Sequence, residues 1–231
     1  MSESSDNPPI DFSFVLASSV HDMKNSLGML LTSLEEVVHS TPIEDEQQRK
    51  RFGTLQYEAS RINTELIQLL SIYRMQTDRL VLNVDENYVI DVLEEQLARN
   101  HMLFETRSVR VEMDCDPELA WFFDADLVGG VVHNVLVNCA RYTRKALHIS
   151  ASVEDDLLCI AVADDGVGYP DDMLQTGDGE RARGFEEGST HLGLFFARQI
   201  AMMHRQGERR GRIELANHGQ LGGGLFSLYL P

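Results

Sequence analysis

Five short stretches of this chain carry side chains that can do chemistry together. The first is His21-Asp22-Met23-Lys24-Asn25. On a helix, Asn25 lies one turn beyond His21 on the same face. A solvent-facing imidazole beside a carboxylate and one turn from an amide is a candidate phosphoacceptor. Asp22 can bond one ring nitrogen, fix the tautomer and leave the other nitrogen nucleophilic. Gly28 and Thr32 continue that face with small side chains. Taken alone, the stretch also fits a surface histidine on a polar helix. The second stretch runs from His133 to Thr143 and places Asn134 and Asn138 four apart on one face of an otherwise apolar helix. An amide oxygen there is a neutral, hard ligand suited to Mg²⁺, and Arg141 near the helix end can reach a phosphate. Two structural polar residues would give the same pattern.

The third stretch is Ala163-Asp164-Asp165-Gly166-Val167-Gly168. A carboxylate at a strand end can accept from an exocyclic amine, and Gly166 and Gly168 let the backbone approach a flat ligand; an ordinary Asp-Gly turn reads similarly. The fourth, Gly188 to Leu194, opens a helix, and free N–H groups at a glycine there form a natural phosphate site. Between the third and fourth lies a polar loop of about twenty residues carrying Arg181 and Arg183, long enough to read as a lid. The fifth, Gly222-Gly223-Gly224-Leu225-Phe226, leads into an apolar strand ending at Pro231.

These residues need elements to hold them. Leu16, Val20, Met23, Leu27, Leu30, Leu34 and Val37 form an unbroken heptad seam, interrupted by His39–Asp45 with Pro42. A second seam follows at Phe52, Leu55, Ala59, Ile62, Leu66, Leu69 and Tyr73. The short connection predicts an antiparallel hairpin, and two such helices bury their seams most simply by pairing with a second copy as a four-helix bundle. Beyond residue 81 the pattern alternates. Strands are expected at Leu82–Val84, Val109–Met113, Ala120–Phe123, Leu147–Val153, Leu157–Ala163, Arg212–Ala216 and Leu225–Leu230. Helices are expected at Asn87–Arg99, Asp126–Tyr142 and Leu192–Arg205. The fold class is α+β: a polar leader at 1–10, a helical hairpin at 11–80, and an α/β sandwich at 82–231.

Composition narrows the functions. The 231 residues carry a formal charge of −17, split as −5 over 1–81 and −12 beyond, which argues against a nucleic-acid coat or an anionic-membrane binder. No apolar run approaches the roughly 20 residues of a bilayer span, and the first ten residues do not read as a secretory signal. The three cysteines, far apart and without a CxxC pair, suit a reducing cytoplasm rather than a zinc site or disulfide framework.

In this order, the motifs resemble a bacterial two-component sensor histidine kinase over nearly the whole chain. His21 to Asn25 resembles the phosphoacceptor box of the dimerisation hairpin. Asn134 and Asn138, in the stretch that also holds Arg141 and Tyr142, match the N box, with Asn138 at the Mg²⁺ position. Asp164, Gly166 and Gly168 match the DxGxG box, whose aspartate binds adenine. Gly193 and Leu194 match the end of the second glycine box, and Asp124 stands where an aspartate often precedes the N-box helix. The resemblance implies ATP and Mg²⁺ at these residues and at Arg181 and Arg183. It implies autophosphorylation of His21 assisted by Asp22, transfer to a response-regulator receiver, and a receiver-phosphatase role for Asn25. It also implies a cytoplasmic homodimer; with only about ten residues before the first helix, the signal is expected from a separate sensor or regulatory protein or from the dimer itself.

Departures from the family pattern are His191 in place of a glycine, Ser26 in place of a proline, and no clear second phenylalanine box, for which Phe185 is the stand-in. They keep a rival reading open: a non-catalytic phosphotransfer adaptor with a degenerate ATPase-like domain. A serine kinase on the same ATPase fold lacks the paired hairpin.

Overall fold

The computed structural model describes residues 12–40, 46–77, 79–174 and 191–231. Two long helices come first, α1 (Phe12–Ser40) and α2 (Glu46–Gln76), packed along each other as a hairpin. The seam expected from the heptads divides in two. Val20 and Ala59 are buried, and Leu27, Leu34 and Leu66 are half-buried within the hairpin. Met23, Leu30 and Val37 on α1, and Leu55, Ile62 and Leu69 on α2, recur every seventh residue and remain 39–55% exposed. Ser26 in place of a proline leaves α1 continuous, and its hydroxyl donates back to the Asp22 carbonyl at 3.0 Å.

The second unit has a five-stranded mixed sheet in the order β2-β4-β5-β9-β8, made from β2 (Arg110–Cys115), β4 (Ala146–Glu154), β5 (Leu157–Asp164), β9 (Gly224–Leu230) and β8 (Arg212–Asn217). Only β2 and β4 run parallel. A tight turn at Asp155-Asp156 joins β4 to β5 with both φ values positive, 50° and 59°, a conformation aspartate tolerates and a twisted hairpin requires. The helices α3 (Val89–Thr106), α4 (Ala125–Tyr142) and α6 (His191–Met203) pack with this sheet. Their core includes Leu93, Phe123, Leu136, Ile149, Leu158, Ile160, Phe196, Ile200, Phe226 and Leu228. Alternate residues of β5 (Leu158, Ile160, Val162) and of β9 (Phe226, Leu228, Leu230) point into it, as a half-covered sheet demands. One helix, α5 (Asp171–Leu174), and the β6 (Arg205–Gln206) and β7 (Arg209–Arg210) ribbon gave no sequence signal.

The first strand is not at Leu82–Val84. It is β1 (Asp85–Tyr88), paired antiparallel with β3 (Ala120–Phe123) from Asp85↔Phe123 to Tyr88↔Ala120. The earlier segment is held otherwise: the Asn83 N–H donates to the Asp124 carboxylate at 2.8 Å. The helix expected from Asn87 therefore begins at Val89. It runs past Arg99 to Thr106 because Leu103 and Phe104 extend its buried stripe.

The hairpin and the sheet unit touch through α2, which packs against α3, α4 and α6. Tyr57 of α2 is 4% exposed and belongs to the same apolar core as α3 and α4. The Arg107 guanidinium lies 4.9 Å above its ring and also donates to the Ala140 carbonyl at 2.8 Å. One face of α2 is thus covered by this chain itself.

Candidate functional site

On α1, His21 and Asp22 are both exposed. The Asn25 amide nitrogen lies 3.3 Å from His21 Nδ1, and Asp22 Oδ1 lies 3.7 Å from the same nitrogen. Asn25 is therefore the hydrogen-bond partner here, and Asp22 stands just outside that range. Both groups address Nδ1 and neither addresses Nε2. Gly28, one turn on, has open space where a Cβ would project, so the face beyond His21 is unobstructed.

The N-box helix α4 is anchored by Asp124, whose carboxylate accepts from the Leu127 N–H at 3.0 Å as an N-cap. Its backbone N–H donates to His204 Nε2 at 3.1 Å, while His204 Nδ1 donates to the Ile200 carbonyl at 2.8 Å. Asp124 thus ties the inter-unit segment, α4 and the end of α6 together. Asn134 is 5% exposed, accepts a long 3.5 Å bond from Asn138 Nδ2, and has its own Nδ2 without a partner among the described residues. It faces Gly193 in the first turn of α6, where any Cβ would overlap its amide. The glycine is needed for this close helix approach, and Leu194 beside it packs onto the core. Asn138 lines a crevice of about 10 Å³ with Arg61, Thr64, Glu65 and Gln68 of α2. Arg141 is exposed and stacks on the neighbouring Tyr142 ring at 5.3 Å.

Asp164 ends β5 in a buried position. Its Oδ1 accepts from the Gly166 N–H at 2.6 Å and from the Gly224 N–H at 3.3 Å, and its carbonyl accepts from Gly223 N–H at 3.0 Å. The last glycine run therefore wraps the third motif, a juxtaposition across sixty residues. Gly168 has φ +81°, and its hydrogen faces the Asn217 amide where a Cβ would collide. Asn217 brackets the loop by accepting from Tyr169 N–H at 2.6 Å and donating to its carbonyl at 2.8 Å. Asp165 serves a neighbouring turn. Burial works against its charge, but the backbone N–H groups of Lys145, Ala146 and Arg144 outweigh that and hold its carboxyl below the usual range.

Sequence reasoning missed Asn217 and the contacts of His133. Asn217 lies in a strand without a motif. His133 sits inside the N-box stretch, but nothing there pointed to Thr64 or Asn100. In the structure His133 Nδ1 accepts from the Asn100 amide at 3.0 Å and Nε2 contacts the Thr64 hydroxyl at 3.1 Å. Thr64 spends its own proton on the Ser60 carbonyl at 2.8 Å, so His133 Nε2 must be the donor. Desolvation, aided by Arg99, pulls the imidazole down to about 4, consistent with this neutral tautomer. Arg181, Arg183, Phe185, Gly188 and residues 41–45 of the helix connection lie outside the described residues, as does the side chain of His191.

Compared with known proteins, residues 123–231 match the family of histidine kinase-, DNA gyrase B-, and HSP90-like ATPases. The chain is 27% identical over 208 residues to the virulence sensor histidine kinase PhoQ of Salmonella typhimurium, covering 89% of this chain and 41% of that protein. It is 22% identical over 200 residues to the sensor protein SrrB of Staphylococcus aureus, covering 82% and 34% respectively. Among solved structures, the histidine kinase AdeS of Acinetobacter baumannii superposes with a TM-score of 0.58 at 18% identity, over 91% of this chain and 96% of that one. The cytoplasmic segment of histidine kinase QseC gives 0.54 at 16% identity, over 73% and 94%. At these identities the structural likeness bears on the fold.

Residues 123–231 are thus similar to the ATPase domains shared by histidine kinases, DNA gyrase B and HSP90. With the helix hairpin before it, the chain shares its fold with the solved cytoplasmic segment of histidine kinase QseC, and the relatives it matches include the sensor histidine kinase PhoQ. It spans about two fifths of the length of the PhoQ proteins it matches. Among the described residues, no helix is long and apolar enough to cross a membrane.

Proposed function

We propose that this chain is an ATP-dependent protein-histidine kinase that phosphorylates its own His21 and passes the phosphoryl group to an aspartate of a response-regulator receiver. The observation that carries the reading is an exposed imidazole, addressed at Nδ1 by Asn25 and Asp22, on a hairpin joined to an ATPase fold. Asp164 and its glycine cradle suit a flat, amine-bearing base. Both amide bonds from Gly166 and Gly224 fall on Oδ1, and Oδ2 is the oxygen we assign to the adenine amine. Asn138 spends its nitrogen on Asn134, so its Oδ1 is the oxygen suited to Mg²⁺. The metal, when bound there, would neutralise phosphate charge, which a unit with a net charge near −12 needs.

The chain's own groups then act in order. Asp22 replaces Asn25 at Nδ1 and takes up its N–H, which leaves a lone pair on Nε2. Nε2 attacks the γ-phosphorus, the bond to the bridging oxygen breaks, and ADP leaves with that electron pair. Because the crevice beside Asn138 measures only about 10 Å³, α2 and α4 must separate first. The same crevice favours a second reading, a phosphotransfer adaptor whose ATPase-like unit stays closed. Incubation with γ-labelled ATP, followed by acid and base treatment, separates the two. Acid-labile, base-stable label on the wild-type chain supports the kinase, and no label points to the adaptor.

A further inference from the structure

The small ribbon of β1 and β3 turns aromatic side chains to solvent. Alternate residues of such a ribbon share a face. Trp121 and Phe123 take the inner face: Phe123 is buried in the core, and the Trp121 indole N–H donates to the Pro231 carbonyl at 3.2 Å. The outer face carries Glu86 and Tyr88 from β1 with Phe122 and Ala120 from β3. Glu86 stands directly opposite Phe122, and Tyr88 opposite Ala120. Outer positions of an antiparallel pair are ordinarily polar. Here Phe122 is 61% exposed, Tyr88 is 51% exposed, and Val84, two residues before Glu86, is 45% exposed. The Glu86 carboxylate is exposed among them and has no ion pair with any described residue. A single exposed apolar side chain needs no explanation, but two rings around an unpaired carboxylate form a patch. The patch lies at the Pro231 end of β9, whereas Asp164 and its glycine cradle lie at the Gly224 end.

We infer that this face docks a partner protein, through a segment in which arginine or lysine alternates with apolar residues. Aromatic side chains anchor interfaces because each buries a large area with few rotors to freeze. A guanidinium laid over Phe122 or Tyr88 gains from the negative face of the ring, and the same cation is within reach of Glu86. Charge selects this occupant over others. The stretches that build and flank the ribbon, 80–98 and 111–140, carry eleven acidic side chains and no lysine or arginine. A second copy would bring the same acidic stretches against this face. Nucleic acid and anionic lipid are repelled in the same way, whereas a basic segment is drawn to it. Residues 80–84 join α2 to β1, so the partner stands where the hairpin meets the ATPase unit. The docking face does not depend on the kinase reading.

A fluorescein-labelled peptide of alternating arginine and leucine serves as the probe, with a glutamate–leucine peptide of the same length as its counterpart. Each is titrated into the full chain by fluorescence anisotropy. Saturable binding of the basic peptide is expected, with the acidic one at least about tenfold weaker. Phe122→Ser and Tyr88→Ser should each weaken binding roughly tenfold, as the loss of an interface anchor does, and Glu86→Gln roughly three- to fivefold. Asp172→Asn removes the same charge from an exposed position on α5, beyond the other end of β9, and should leave binding unchanged. If the basic peptide does not saturate, or all three face variants bind it like the wild type, the inference is wrong. Equal losses in Glu86→Gln and Asp172→Asn would also sink it, since the peptide would then follow overall charge. Melting temperatures should match the wild type; should Phe122→Ser melt early, Glu86→Gln, which leaves both rings in place, decides. Attachment to phosphatidylcholine vesicles that Phe122→Ser abolishes would assign the face to lipid instead. A light-scattering mass that drops in Phe122→Ser would assign it to a second copy, and either result overturns the proposal.

Discussion

At the scale of single residues, the proposal turns on which groups touch His21. His21→Gln keeps size and polarity but removes the nucleophile. Acid-labile labelling should vanish while nucleotide binding persists, and a gel of the variant carrying undiminished label would remove His21 from the mechanism. Asn25 is within hydrogen-bond range of Nδ1 at 3.3 Å, so it stands beside the imidazole on the open face. There it can orient a water toward a docked receiver's aspartyl phosphate without joining the attack on ATP. Asn25→Ala should autophosphorylate near normally yet leave phosphorylated receiver long-lived, and equal decay rates for the two proteins would leave Asn25 without that role. In the nucleotide cradle, Asp164→Asn removes a charged acceptor and should weaken binding by roughly 1.5–3 kcal/mol. Asn138→Ala removes the metal oxygen and should abolish Mg-ATP binding. Calorimetry with native affinity in both variants would rule out this site.

At the scale of elements, α4 is held between α2, α3 and α6 by polar contacts as well as by its apolar face. The chain Asn100–His133–Thr64 is the bond across the two units, and it requires a neutral imidazole. His133 is lowered from 6.5 to about 4, so between those values the unfolded chain binds the proton and the folded chain does not. Stability from this group is complete above about pH 6.5 and is lost as pH falls toward 4, by up to roughly 3 kcal/mol. Urea unfolding at pH 7 and pH 4.5 measures it. The drop should be smaller by most of that amount in His133→Gln, and identical drops would mean that His133 is not the titrating group. The Asn217 bracket works at the same scale: it fixes the backbone after Gly168 from a neighbouring strand, so the cradle's shape depends on β8 as much as on its own loop.

At the scale of the whole molecule, the hairpin has three apolar faces to cover. One is the contact between α1 and α2, and the second is Tyr57 with its neighbours on the ATPase unit. The third is the exposed heptad row of Met23, Leu30 and Val37 with Leu55, Ile62 and Leu69. We propose that a second copy covers it, as a four-helix bundle. Because Leu27 and Leu66 are half-buried inside one hairpin, the outer residues are the sharper probes. Leu30→Glu and Ile62→Glu together should leave the fold intact and destabilise the dimer by several kcal/mol through unpaired buried charge. Light scattering should report a dimer at micromolar concentration for the wild type and a monomer for the variant. A monomeric wild type would contradict the bundle.

What the amino-acid sequence determined by itself was whatever local periodicity and spacing encode. The two heptad seams specify a hairpin, the i and i+4 asparagines share one face of α4, and Asp164 closes a strand just before two glycines. Each follows from a repeat of 3.5, 3.6 or two residues acting within a few turns. Tertiary structure decided what those pieces meet. That Gly224 donates to Asp164, that Asn217 grips Tyr169, and that Thr64 accepts from a histidine 69 positions away depend on how sheet and helices pack. No periodicity encodes such pairings. It also moved the first strand from Leu82–Val84 to Asp85–Tyr88, because pairing with β3 set the register there and Asp124 claimed the Asn83 N–H. The division of each heptad seam into a buried half and an exposed half is likewise a packing result. Sequence marks both halves as apolar, and only the position of α2 against the ATPase unit leaves one of them bare.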